Sequence, residues 1–94
     1  MERLACLVPF CRRTTRAGKF EEWICQRHWS ATDRRLRRAY FRRGRLFKRH
    51  VAAADRSGGR LLAHASAADR HLQRGWALWE RLKRQAIERA GGLA

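Results

Sequence analysis

Apolar residues recur at helical intervals in two long stretches of this 94-residue chain. Over about residues 33–56, their spacing predicts a first helix. Its apolar stripe consists of Leu36, Tyr40, Phe47, Val51 and Ala54. Arg43 lies in the middle of this stripe beside Gly44, so we expect the helix either to bend there or to be covered in two halves.

A second helix is predicted over about residues 60–90. Its apolar positions alternate at spacings of three and four, which is typical of a helix that packs against another helix. They are Ala65, Ala68, Leu72, Gly75, Trp79, Leu82 and Ala86. Ser57-Gly58-Gly59 predicts a turn at residues 57–59. We therefore expect a helical hairpin, with Trp76 and Trp79 in the seam between its helices.

Residues 1–32 have a different pattern. Strand-favouring residues on either side of Ala17-Gly18 predict a short β-hairpin over residues 12–24. Cys25 is expected to open a helical turn after it. The sequence therefore predicts a mainly α fold with a small β-hairpin, in which an N-terminal module over residues 1–32 precedes the helical hairpin of residues 33–94.

Three cysteines and one histidine in the N-terminal module are spaced like the ligands of a metal ion. Cys6 and Cys11 flank a turn that contains Pro9, and Cys25 and His28 share one face of a helical turn. Three thiolates and one imidazole are a standard tetrahedral set for structural zinc. A cysteine knuckle, a hairpin and a helix start in this order indicate a treble-clef-like zinc module. We expect one Zn²⁺ ion held by Cys6, Cys11, Cys25 and His28.

Disulfide bonds are the alternative to a metal site. An odd number of cysteines would leave one thiol unpaired. The chain has no apolar run of the ~20 residues that a membrane span needs, and its N-terminus lacks the features of a secretory signal. We therefore expect a reducing, cytoplasmic location, in which closely spaced cysteines are more often metal ligands than disulfides.

The same stretch resembles a group of known proteins. CLVPFC, CRRTTRAGKF and WICQRHW are similar to segments of small phage and prophage-type zinc-finger proteins. The resemblance covers about residues 6–47 and implies the same four metal ligands, with Trp29 packed beneath the site and an Arg-rich helix after it. Phe10 stands where these proteins often have glycine. The resemblance implies no particular activity.

An enzymatic role is not expected. The ββα-metal nucleases also use treble clefs, but they need a general-base histidine on the hairpin and a second, catalytic metal site. Residues 12–24 contain no histidine and no asparagine, and Glu21 and Glu22 are their only acidic residues. Four protein ligands would also close the expected zinc site, which is typical of a structural metal.

The chain carries a strong positive charge. Its 23 basic and 8 acidic residues give a net charge of +15, and residues 12–49 contribute 14 of the basic and 3 of the acidic residues. This excess predicts an anionic partner, and arginine forks match the geometry of phosphate groups. We expect a small accessory or regulatory protein, of the phage type, that binds DNA or RNA. The expected contact residues are Arg12, Arg13, Arg16, Lys19, Arg34, Arg38, Arg42, Arg45, Lys48 and Arg49.

Two alternatives to nucleic-acid binding stay open, a protein-interaction module and a membrane-surface protein. The protein could be an interaction module that docks on an acidic host protein, or that forms a homodimer through residues 65–86. Binding to a membrane surface is less favoured, because Trp76 and Trp79 lie in the less basic part of the chain and a cytosolic zinc site argues for a folded domain.

Four residues have two interpretations. Phe41 lies among the arginines of the first helix, where it would stack on a base if exposed, but we favour burial because exposed phenylalanine is disfavoured.

His50, His64 and His71 lack the close spacing of a second metal site. We expect them to lie on the surface or to pack within the hairpin.

Overall fold

Two long helices make up most of the molecule. The structure is a computed structural model that describes residues 2–56 and 62–91. Its elements in chain order are β1 (Arg3–Ala5), β2 (Thr14–Arg16), α1 (Gln26–Ser30), α2 (Arg34–Arg56) and α3 (Leu62–Ala90). The expected fold class, mainly α with a small β-hairpin and a Cys/His cluster near the N-terminus, is confirmed. The predicted turn at residues 57–59 lies outside the described residues.

The β-hairpin lies earlier in the chain than the sequence pattern indicated. β1 pairs with β2 in antiparallel register, with Arg3 opposite Arg16 and Ala5 opposite Thr14. The prediction of a hairpin over residues 12–24 is therefore wrong in position, since only β2 of that stretch is a strand. A two-residue turn at Ala17-Gly18 would have paired β2 with the residues that follow Gly18. Instead β2 pairs with the segment before the first cysteine, which leaves residues 6–13 as the connecting loop.

The first of two compact units contains Met1–Arg34 together with Arg81–Ala94. The last third of α3 supplies its apolar centre, because Leu82 is 0% exposed and Ala86 is 1% exposed. Val8 and Ile24 are buried in the same unit. Burial of a leucine side chain contributes roughly 1.5–3 kcal/mol, so this part of α3 is a principal support of the N-terminal segment.

Polar contacts also connect the C-terminal part of α3 to the N-terminal segment within this unit. The backbone N–H of Asp33 donates to Oε1 of Gln85 at 2.8 Å. Nζ of Lys83 lies 3.2 Å from Oε2 of Glu22 in a partly exposed ion pair. The Asp33 contact supplies a partner for a backbone donor immediately before α2, where the first helical N–H groups have no intrahelical acceptor.

The second compact unit, Arg35–Glu80, contains most of α2 and the first two thirds of α3. The rings of Tyr40 and Trp79 lie with their centroids 5.9 Å apart. Gly75 is buried, and a Cβ on it would lie 3.7 Å from the Cβ of Arg43, so the helices approach closely at this point. α2 continues without a break through Gly44.

Trp76 does not fill the seam of this unit as the sequence pattern predicted. Its side chain is 61% exposed, whereas Trp79 is half-buried. Successive residues of a helix are turned by about 100°, which carries Trp76 away from the close approach at Gly75. Among the described residues, no helix is both long enough and apolar enough to cross a membrane.

Candidate metal centre and basic helix face

The loop between β1 and β2 positions the first two cysteines. The backbone N–H of Cys6 donates to the carbonyl of Arg13 at 3.0 Å, which extends the β1–β2 pairing into the loop. The backbone N–H of Cys11 donates to the carbonyl of Val8 at 3.1 Å and closes a tight turn. Pro9 is the second residue of this turn, where its fixed φ is favourable.

Phe10, the third residue of the turn, has a φ of 67°. A positive φ at this position after proline is the geometry of a type II turn, which favours glycine because L side chains are strained there. The phenyl ring is fully exposed, so it makes no compensating burial. The backbone at Phe10 has the conformation that glycine adopts most easily.

Cys25 and His28 come from the start of α1. Cys25 immediately precedes the helix in an extended conformation, with φ −65° and ψ 160°, and His28 is the third helical residue. Two contacts bring this segment against the loop. The backbone N–H of Leu7 donates to the carbonyl of Trp23 at 2.9 Å, and the backbone N–H of Cys25 donates to Sγ of Cys6 at 3.3 Å.

The four side chains converge on one point. Sγ of Cys25 lies 3.2 Å from Nδ1 of His28, Sγ of Cys6 lies 3.8 Å from the same nitrogen, and Sγ of Cys11 lies 3.9 Å from Sγ of Cys25. All four ligand atoms lie within 4.8 Å of one another. Ligands at about 2.3 Å (sulfur) and about 2.0 Å (nitrogen) from a tetrahedral zinc ion would be about 3.5–3.8 Å apart. The cluster is therefore close enough to hold a metal ion of this size.

The pKa values of Cys6 and Cys25 are shifted in opposite directions. Burial raises the pKa of Cys6, against the opposing effect of backbone N–H groups of Cys25 and Val8. Burial also acts to raise the pKa of Cys25. Hydrogen bonds from the backbone N–H of His28 and from the side chains of Cys6 and Cys11 outweigh burial, so the pKa of Cys25 is lowered. All three cysteines are free of disulfide bonds in the part of the chain that the structure describes.

The ten basic residues that the sequence singled out for phosphate contacts are all exposed. Arg12, Arg13, Arg16, Lys19 and Arg34 belong to the first compact unit, and the other five belong to the second. On α2, the helical repeat places one set of residues on a single face, opposite the apolar stripe. They are Arg34, Arg38, Phe41, Arg42, Arg45, Lys48 and Arg49. No acidic residue occurs between residues 34 and 54, and Asp55 near the end of α2 is the only acidic residue of that helix.

Phe41 is not buried as we expected. Its side chain is 50% exposed in the middle of the basic face. The ring of Tyr40 lies beside it, with centroids 5.5 Å apart and planes inclined by 62°. Phe41 is one of the residues that line an open surface concavity of about 560 Å³. The concavity is lined by Arg38, Ala39, Phe41, Arg42, Arg43 and Arg45.

Sequence reasoning missed a cluster of imidazole rings in the second unit. Nδ1 of His50 on α2 lies 2.8 Å from Nδ1 of His64 on α3, and the rings of His50 and His71 stack at 5.5 Å. Arg43 of α2 also joins the cluster through His71. These histidines therefore pack within the hairpin, which was one of the two expected outcomes. The signal in the sequence was the seven-residue spacing of His64 and His71, which places both on one face of a helix.

No protein-family model, curated protein or solved structure matches this chain. The likeness to phage-type zinc-finger proteins therefore rests on the residues quoted for it alone.

Proposed function

We propose that this protein is a small nucleic-acid-binding factor that is stabilised by one structural zinc ion. The zinc proposal is supported by the donor set, three sulfur atoms and one nitrogen that all lie within 4.8 Å of one another. Three of these distances, 3.2, 3.8 and 3.9 Å, are close to the edges of a zinc tetrahedron. Four protein ligands leave no open position for substrate, so the metal fixes the β1–β2 loop against α1 rather than taking part in a reaction.

The basic face of α2 is the observation that supports the proposal of nucleic-acid binding. Six exposed cations lie on one side of a helix with no acidic residue between positions 34 and 54. Arginine forks bind phosphate oxygens in pairs, and a row of cations along a helix matches a row of phosphates along a strand. Contacts of this kind position a protein on a nucleic acid without reading its sequence.

The test is the salt dependence of binding to labelled oligonucleotides, measured by fluorescence anisotropy on the zinc-loaded protein. Each phosphate contact contributes a slope of about −0.9 on duplex DNA, or about −0.7 on a single strand, to the plot of log affinity against log salt. The double variant R38Q/R45Q should reduce this slope by about 1.4–1.8. The variant R81Q/R84Q removes the same charge from exposed positions of α3 and serves as the matched control. Absence of binding at low salt would refute the proposal.

A protein-interaction module, which docks on an acidic protein or on a second copy of the chain, is the second candidate. The exposed side chain of Trp76 is the observation that favours a protein partner. Its ring is 61% exposed on α3, and tryptophan is enriched where proteins bind other proteins. Self-association through residues 65–86 would need other side chains than Leu82 and Ala86, because both are already buried within the first compact unit. Light scattering of the W76A variant and the wild type would show whether this surface pairs two copies.

A further inference from the structure

Phe41 gives the basic face of α2 a feature that phosphate binding alone does not require. A phenylalanine side chain is usually buried, yet this one is 50% exposed and is surrounded by arginine side chains. Its position on the helix places it between Arg38 and Arg45 on one side and Lys48 on the other. We infer that this site binds single-stranded nucleic acid, with one base stacked on Phe41 and the flanking phosphates held by arginines. The inference rests on the function proposed above and specifies its substrate.

The shape of the site favours a single strand over a duplex. Phe41 borders an open surface concavity of about 560 Å³ whose lining residues all belong to α2. A side chain that wedges between base pairs must protrude from the protein surface. A half-covered ring among cations instead presents its exposed part to a base that is already unstacked, as in a single strand. Every base has a π-face, so this contact would be tolerant of sequence.

The surroundings of Phe41 hold its ring in place. Tyr40 lies against it at 5.5 Å between centroids, and the ring of Tyr40 is in turn placed by Trp79 at 5.9 Å. A ring ordered before binding loses less conformational freedom on binding than a mobile one. Arg42 and Arg45 line the same concavity, and their planar guanidinium groups can both pair with phosphate and stack on a base.

The experiment compares Phe41 variants on a labelled, unstructured oligonucleotide of about 12 nucleotides and on a duplex of the same length. F41A should weaken binding to the single strand by about 5- to 150-fold, because base stacking on an aromatic side chain contributes about 1–3 kcal/mol per base. F41W should retain the affinity, and F41L should lose it like F41A, since leucine is apolar but has no π-face. The affinity for the duplex should change little.

Two further readouts separate stacking from other effects of the substitution. F41A should leave the salt slope unchanged, because it removes no phosphate contact, whereas R38Q/R45Q should reduce the slope. F20A is the matched control, since Phe20 is also an exposed phenylalanine, at 70%, but lies outside α2. It should bind both oligonucleotides like the wild type. Far-ultraviolet circular dichroism of each variant verifies that the helices are retained.

The outcomes distinguish this inference from the function on which it rests. If the wild type binds neither oligonucleotide at low salt, both the proposed function and the stacking site are refuted. If it binds with a steep salt slope but F41A and F41L bind the single strand as the wild type does, nucleic-acid binding stands and the stacking site is refuted. Weaker binding of F41A to the duplex alone would instead assign Phe41 to a wedge between base pairs.

Discussion

Nη1 of Arg43 on α2 lies 3.0 Å from Nδ1 of His71 on α3. A guanidinium group has only donors and stays protonated in proteins, so Nδ1 of His71 must be the acceptor and its ring must be neutral. This explains why an arginine stands in the apolar stripe of α2. Its charged end meets a polar acceptor within the hairpin rather than an apolar side chain.

The second unit should lose stability as the pH falls. Burial and the charges of Arg43, His50, Arg70 and Arg74 lower the pKa of His71. Below its usual pKa of about 6.5, the unfolded chain therefore binds more protons at this residue than the folded chain does, and the free energy of unfolding decreases.

Proton NMR of the zinc-loaded protein measures this directly, through the titration of the His71 ring. The expected pKa is below the ordinary histidine value of about 6.5. The H71N variant keeps an acceptor for Arg43 but cannot take up the proton. Urea unfolding of this variant should depend less on pH between about 5 and 7 than that of the wild type. A pKa at or above the ordinary value would contradict the prediction.

Removal of the metal should unfold the first unit. We expect one zinc ion per chain by elemental analysis, and X-ray absorption should show three sulfur neighbours at about 2.3 Å and one nitrogen at about 2.0 Å. C25S and H28Q should each lose zinc and lower the unfolding temperature, because the ligands hold the loop to α1. H64Q is the control for zinc content, since it removes a histidine that is not one of the four candidate zinc ligands. Zinc content equal in H28Q and H64Q would be evidence against the site.

F10G should stabilise the protein. Phe10 has a φ of 67° and a fully exposed ring, so glycine removes strain without loss of burial. Strain of a non-glycine residue in the left-handed region costs about 1–2 kcal/mol, which exceeds the entropic cost of glycine, about 0.5–1 kcal/mol. Urea unfolding should therefore show a gain of about 0.5–1 kcal/mol.

The matched control for this prediction is F20G. Phe20 is also well exposed, at 70%, but its φ is not in the left-handed region. Glycine there adds freedom to the unfolded chain and relieves no strain, so the variant should be slightly less stable than the wild type. An equal change in the free energy of unfolding for F10G and F20G would mean that the turn at Phe10 is not strained.

L82A should be among the most destabilising single changes in the chain. Leu82 is 0% exposed, and truncation of such a leucine costs about 2–5 kcal/mol through lost burial and the cavity left behind. L82M nearly conserves the volume and should cost less than about 1.5 kcal/mol. W76A, at an exposed position of the same helix, should stay within about 0.5 kcal/mol of the wild type in urea unfolding. A similar cost for L82A and W76A would contradict the assignment of Leu82 to the core.

Local pattern was sufficient for the helices and for the placement of Cys25 and His28 in one helical turn. The spacing of Leu36, Tyr40 and Phe47 indicates a helix whatever packs against it, because the helical repeat alone places them on one face. Cys25 and His28 share a helical turn for the same reason. These features depend on residues near one another in sequence, so no partner segment has to be known to predict them.

Tertiary structure decided the features that depend on a partner distant in sequence. The partner of β2 is the segment before Cys6 rather than the residues after Gly18, because strand pairing is a non-local choice between competing segments. The exposure of Phe41 and Trp76 depends on which face each helix turns to its neighbour, and apolar character alone does not determine this. Arg43 meets His71 only because the two helices are antiparallel neighbours in one unit, a relationship between residues 28 positions apart.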